Sequence, residues 1–153
     1  MFIKTVVEAL NRAPIRYVLV GGYAVALHGA VRGTVDLDFV IALESEQFEA
    51  VEKVMASIGL MPRLPVCAHE VFEFRQEYID KRNLVAWSFT NHDNPLEMVD
   101  IIITHDANMM DTETVSADGL TISVATIDEL INMKRSSGRP QDLEDIRALE
   151  RLK

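Results

Sequence analysis

The sequence predicts a mixed α/β (α+β) fold: a small mixed β-sheet flanked by helices, with two helices at the C-terminal end. Three observations carry this reading. Apolar residues alternate strictly through 34–41, TVDLDFVI, which is the period of a strand. Segments with helical spacing stand on either side, at 3–12 and 45–58. Near the C-terminus, Thr126-Ile127-Asp128-Glu129 is a capping-box sequence, and Pro140 suits the first turn of one more helix.

The elements follow in order. Residues 3–12 read as a helix, with Val6, Val7 and Leu10 at helical spacing and Pro14 beyond its end. RYVLV, 16–20, reads as a strand; Gly21-Gly22 follows at once, and YAVALHG then reads as a short helix of small residues. Within 34–41, Val35, Leu37, Phe39 and Ile41 share one face. Residues 45–58 form an amphipathic helix that turns Phe48, Val51, Val54, Met55 and Ile58 to the core, with Ser45 as the candidate cap. MPRLPV, 61–66, is a proline-punctuated connection. The stretch 69–82 suits a helix by Val71, Phe74 and Tyr78 and a strand by Phe72 and Phe74; the helix is preferred. LVAWSFT (84–90) and LEMVDIII (96–103), separated by NHDNP, read as a β-hairpin with Trp87 and Phe89 in its core. GLTISV, 119–124, is a further strand. The helix from Thr126 ends at Ser136-Ser137-Gly138, and the last helix carries Asp142, Glu144 and Asp145 near its positive end.

Composition narrows the function. The chain has 153 residues, 48% hydrophobic and 25% charged, which excludes a disordered polymer. No repeat or linker divides it, so 1–153 is expected to form a single domain. No apolar run approaches the ~18 residues of a membrane span, and the first residues lack a cleavable signal pattern. Cys67 stands alone and cannot form an internal disulfide, so a reducing cytoplasm is expected. A net charge of −9 argues against gripping long nucleic acid through many phosphates. One phosphate-bearing ligand, bridged by a divalent cation, is compatible with it.

Asp36 and Asp38 are the anomaly. They lie two apart on an apolar strand and so point to one face, where each raises the other's pKa. Asp100 repeats the pattern inside Met98-Val99-Asp100-Ile101-Ile102-Ile103. Solvated or arginine-paired strand ends are the plain alternative. The functional reading is an oxygen-ligand set for a hard cation. Mg²⁺ favours carboxylates together with substrate phosphates and water, and two ions about 3.5–4 Å apart can clamp a phosphoryl displacement. Zinc is disfavoured for want of Cys/His spacing, and His28, His69, His92 and His105 read as scattered surface or loop residues. Gly21-Gly22, between a strand and a helix start, lets the backbone come close to a ligand.

The order apolar-Gly-Gly, short helix, Asp-Leu-Asp-Phe, Val-Asp-Ile resembles the nucleotidyltransferase superfamily, which includes DNA polymerase β, antibiotic nucleotidyltransferases and the minimal nucleotidyltransferases of bacterial toxin–antitoxin systems. The resemblance spans roughly residues 16–150. It implies that Gly21 and Gly22 hold the nucleotide phosphates, and that Asp36, Asp38 and Asp100 are catalytic and bind two Mg²⁺ ions. The ending ATIDELINMKRSSGRPQDLEDIRAL is similar to that of small bacterial members.

Read from the residues, Lys134 falls on the apolar stripe of Ile127, Leu130 and Ile131. It either snorkels to water or reaches the cleft and meets a triphosphate. Arg139 locks the two last helices together through Asp142 or touches phosphate. Asp142 and Asp145 read as structural acids of a helix start. The family resemblance makes Thr34, just before the acids, a candidate phosphate contact, with plain surface as its alternative.

The implied activity is Mg²⁺-dependent transfer of a nucleoside monophosphate from an NTP, ATP among them, to an acceptor hydroxyl, with release of pyrophosphate. The acceptor is open: a small molecule or a partner protein fits the acidic surface better than long RNA. A second copy, or a toxin-type partner, is one way to complete the acceptor pocket. The rival reading is a non-catalytic nucleotide- or protein-binding module, such as an antitoxin-like partner protein.

Overall fold

A computed structural model describes residues 1–30 and 36–153; Arg32, Thr34 and Val35 lie outside the described residues. Helix α1 (Phe2–Arg12) forms because Ile3, Val6, Val7 and Leu10 make one buried stripe. Strand β1 (Tyr17–Val20) is buried along its whole length and runs straight into α2 (Gly21–Leu27). Strand β2 (Leu37–Ile41) lies antiparallel to β1, with Val20 opposite Asp38. Helix α3 (Ser45–Ser57) buries Phe48, Val51 and Met55.

The expected hairpin is present as β4 (Ala86–Asn91) and β5 (Asn94–Ile102), antiparallel, with Ser88 opposite Asp100. β5 runs parallel to β2 and sets Asp100 opposite Asp38. A two-residue strand, β3 (Met61–Pro62), edges β4. On the far side, β7 (Leu120–Ala125) is parallel to β1, and β6 (Thr112–Ala117) is antiparallel to β7. The sheet order is β3-β4-β5-β2-β1-β7-β6. Helices α6 (Ile127–Ser137) and α7 (Pro140–Arg151) pack on each other, and α6 also meets α2. No described helix is long and apolar enough to cross a membrane.

Directly opposed residues on neighbouring strands point to the same face. Val20, Asp38, Asp100 and Ser88 therefore form one row across four strands. The alternate residues Leu37, Phe39, Trp87, Phe89, Val99 and Ile101 are buried. There Trp87 stacks on Phe48 with centroids 5.8 Å apart and tilts against Phe89 at 4.7 Å. This apolar face anchors the strands, and the anchoring fixes where the carboxylates stand.

Several local expectations are revised. The stretch 69–82 is helical but broken at Phe74, into α4 (Ala68–Glu73) and α5 (Arg75–Arg82); α5 has no buried residue to extend the packed stripe. Ser45 is the first residue of α3 rather than its cap, which is Glu44. The segment before α3 is instead held by Asp106, which accepts from Leu43 N at 3.1 Å. Thr126 does cap α6, its hydroxyl accepting from Glu129 N at 3.2 Å. The reciprocal half of the box is replaced, since Glu129 accepts from Asp111 N at 3.0 Å.

Strand β6 was not expected. Its side chains are mostly exposed and carry no apolar alternation, so its signal lay in the Asp118-Gly119 turn, where both φ angles are positive, 50° and 78°. His28 stands in the turn after α2, as a loop histidine, but not at the surface: its ring is 6% exposed, with Nε2 2.8 Å from Ala125 O and Nδ1 3.5 Å from Glu113.

Candidate active site

The row of polar groups is built outward from the β1–α2 turn. Gly21 has φ +72°, and a Cβ on it would stand 2.9 Å from Asp38 Cγ and overlap Oδ2. The Asp38 carboxylate thus lies against the turn, in space that only a glycine leaves free. Gly22 follows, buried, in the first turn of α2.

Asp38 and Asp100 are half-buried on adjacent strands. Burial, then the charge of Asp100, then a hydrogen bond with Asp100, push the Asp38 carboxyl from its usual 3.8 up to about 7. Asp36, just ahead of β2, adds a smaller push in the same direction, and Lys134 opposes it. Asp100 Oδ1 in turn accepts from Ser88 Oγ at 2.5 Å. Asp36 stands near enough to act on Asp38. Among the described residues, however, no three His, Cys, Asp or Glu side chains form a ready metal shell.

At the α6–α7 corner, Lys134 is buried. Its ammonium lies 2.9 Å from Asp145 Oδ2 and 3.8 Å from Asp142 Oδ1, so the snorkelling alternative does not hold. Arg139 Nε donates to Asp142 Oδ2 at 2.9 Å, and Arg139 N donates to the same oxygen at 3.2 Å. Burial works to raise the Asp142 carboxyl. The hydrogen bonds and charge of Arg139 overcome it and hold Asp142 below the usual range. The Arg139 side chain stays 74% exposed. Lys134 and Arg139 both interact electrostatically with Asp38, so this corner faces the carboxylate row.

Whole-structure comparison gives the fold. Two structures of the antibiotic-resistance factor ANT(2'')-Ia, one in solution and one in complex with adenylyl-2''-tobramycin, superpose with TM-scores of 0.63 at 12% identity. The match covers 97% and 96% of this chain and 80% and 84% of theirs. An antigenic nucleotidyltransferase-like protein from Paracoccidioides brasiliensis gives 0.59 at 15% identity, over 97% of this chain and 74% of that one. The chain has the nucleotidyltransferase fold. By sequence, no protein-family model and no curated protein matches it.

Within this nucleotidyltransferase fold the structure gathers Gly21, Asp38, Asp100, Lys134 and Arg139 at one end of the sheet, with Asp36 beside them. Thr34 lies outside the described residues. Sequence reading passed over Ser88, although the alternation that buries Trp87 and Phe89 already placed it on the opposite face. Asp142, expected as a partner of Arg139 or a helix-start acid, does pair with Arg139, and both Asp142 and Asp145 do more than start a helix. They are buried ion partners of Lys134, and their i, i+3 spacing on α7 was the available signal.

Proposed function

We propose that this protein is a Mg²⁺-dependent nucleotidyltransferase that moves a nucleoside monophosphate from an NTP to an acceptor hydroxyl. The observation that carries the reading is the Asp38–Asp100 pair. Two carboxylates face each other on adjacent strands, partly desolvated, against a turn that requires glycine. Apposed carboxylates that resist joint ionisation are a costly arrangement for a merely structural sheet. An all-oxygen pair suits a hard cation that keeps waters and substrate phosphates as its other ligands.

In this reading Asp36, Asp38 and Asp100 would hold two Mg²⁺ ions. Bound Mg²⁺ supplies charge neutralisation at the phosphates and orients the displacement. The Gly21-Gly22 turn would border the phosphates. Lys134, fixed by Asp145, presents a point charge to the triphosphate, and Arg139 offers an exposed guanidinium at the same corner. The acceptor oxygen bonds to the α-phosphorus, the bond to the bridging oxygen of pyrophosphate breaks, and Asp100 receives the hydroxyl proton. Positioning and charge stabilisation then carry the rate. The acceptor is a small molecule or a partner protein rather than long RNA, in keeping with the −9 net charge.

Thermal unfolding with ATP, GTP, CTP or UTP, with and without Mg²⁺, tests this. Saturation at ~100 times Kd stabilises the fold by roughly 2.7 kcal/mol, a rise of several degrees. The rise is expected only with Mg²⁺ and is lost in Asp38→Asn. No shift with any of the four, or the same shift in Asp38→Asn, overturns the assignment.

A further inference from the structure

The α6–α7 corner brings together Lys134, Arg139, Asp142 and Asp145, whose formal charges cancel. Their exposures differ. Lys134, Asp142 and Asp145 are buried, whereas the Arg139 side chain is exposed. The group of this corner that can meet a ligand is therefore the guanidinium.

Asp142 fixes where that guanidinium points. Its Oδ2 accepts from Arg139 N at 3.2 Å and from Arg139 Nε at 2.9 Å, and its Oδ1 accepts from Arg139 Nη2 at 3.3 Å. One carboxylate so holds both the backbone at the start of α7 and one edge of the side chain. Paired, charge-assisted bonds of this kind set direction as well as distance. With Nε and one hydrogen of Nη2 engaged, Nη1 and the other hydrogen of Nη2 remain. That second edge has no partner among the described residues. It is again a planar fork, the geometry that matches two oxygens of a phosphate.

Position says which phosphates these are. Asp38 and Asp100 are the carboxylates that would bring a cation to the reacting α-phosphate. Asp38 acts electrostatically on Arg139, and the corner reaches the sheet where α6 meets α2, the helix that begins at Gly21. The corner thus stands on the β1 side of Asp38, and Asp100 stands on the β5 side. A triphosphate with its α-phosphate at the carboxylates, and its other phosphates along the Gly21-Gly22 turn, ends at Arg139. Negative charge gathers on those outer phosphates as the bond to the α-phosphorus breaks, so a guanidinium already aimed there binds the transition state better than the substrate.

We infer that Asp142 is a positioning residue: it aims Arg139 at the β- and γ-phosphates of the NTP and at pyrophosphate as it leaves. The inference rests on the nucleotidyl-transfer reading and gives Asp142 a function beyond its contact with Lys134.

Inorganic pyrophosphate with Mg²⁺ is the probe, since it carries these phosphates without a base. Its affinity for the full chain is measured by calorimetry, with the four NTPs and the four monophosphates alongside. Arg139→Ala and Asp142→Asn are each expected to weaken pyrophosphate and NTP at least tenfold and to change the monophosphates little. In the Arg139→Ala background, Asp142→Asn is expected to cost nothing further, because it acts through the arginine. Arg139→Lys keeps the charge but not the fork and is expected to recover little of the affinity.

A loss on Asp142→Asn that is the same with and without Arg139, or an equal loss for the monophosphates, reduces Asp142 to packing and overturns the inference. Where Asp142→Asn does not fold, the arginine variants decide: loss in both Ala and Lys upholds the fixed fork, and full rescue by Lys overturns it. Undiminished pyrophosphate binding in Arg139→Ala overturns this inference and leaves nucleotidyl transfer standing wherever the NTP shift still needs Asp38. If the parent binds neither pyrophosphate nor any NTP, the reading beneath fails and this inference falls with it.

Discussion

Asp38 fills the space in which a side chain on Gly21 would begin. The turn and the strand therefore constrain each other, and Gly21→Ala acts on both. An L-residue at φ +72° is strained by about 1 kcal/mol or more, and its methyl would also displace the Asp38 carboxylate. Gly119→Ala is the matched control, with φ +78° and nothing within 4 Å of the added Cβ. Both variants are expected to lose a few degrees of Tm. Only Gly21→Ala is expected to lose the Mg²⁺-nucleotide shift as well. Equal loss of that shift in both variants would sink the link between turn and site.

Asp38 also makes the metal-free protein sensitive to pH. Its carboxyl is neutral in the folded chain up to about 7 and ionises near 3.8 when unfolded. Between those values the folded state binds the extra proton, so stability falls as pH rises. The contribution is complete below about 3.8 and gone above about 7. Asp38→Asn lacks this titration. With EDTA-treated proteins, the variant and the parent are expected to unfold alike at pH 4, with the variant more stable above pH 7 by a margin that grows between. Mg²⁺ with nucleotide at pH 8 reverses the order. A stability difference independent of pH would show that Asp38 ionises normally.

Ser88 acts through Asp100. Its hydroxyl donates to Oδ1 and leaves the other oxygen to face Asp38 or substrate. Removing one hydrogen bond to a charged group costs roughly 1.5–3 kcal/mol. Ser88→Ala is expected to lower kcat by about tenfold or more, to move the pH–rate profile and to change KM for the NTP little. Ser88→Thr keeps the hydroxyl and restores most of the rate. An unchanged pH profile in Ser88→Ala would reduce Ser88 to packing.

How far the sequence reached depended on how local each signal was. The strands β1, β2, β4, β5 and β7 and the helices α1, α3, α6 and α7 were legible because each carries its own period or cap, such as Thr126 at α6. The Asp38–Asp100 approach was legible only as an anomaly. Alternation shows that each carboxylate leaves its strand on a polar face, but the parallel β2–β5 pairing that brings them together is a matter of topology. Edge strand β6 lacked a period because little of it is buried, and only Asp118-Gly119 announced it. Lys134 posed a different difficulty. Its place on an apolar stripe is common to a snorkelling lysine and a buried one, and the choice rests on Asp142 and Asp145 of the next helix.

That buried cluster supplies the sharpest separation of structure from function. Lys134 sits 2.9 Å from Asp145, and both are almost fully buried. Breaking such a pair from one side strands a charge and costs about 3–5 kcal/mol, whereas removing both charges is far cheaper. Lys134→Met is therefore expected to lower the urea midpoint strongly. Lys134→Met/Asp145→Asn is expected to recover most of that loss, because Asn still accepts the hydrogen bond from Gln141 Nε2, 3.2 Å from Asp145 Oδ1 in the parent. If Lys134 only holds α6 to α7, the recovered double variant responds to Mg²⁺ and nucleotide like the parent. A cation that also serves the triphosphate predicts the opposite: a stable double variant whose nucleotide shift is absent, and whose NTP affinity by calorimetry is down at least tenfold. Parent-like affinity in the stable double variant would remove Lys134 from the site and leave it a structural pin.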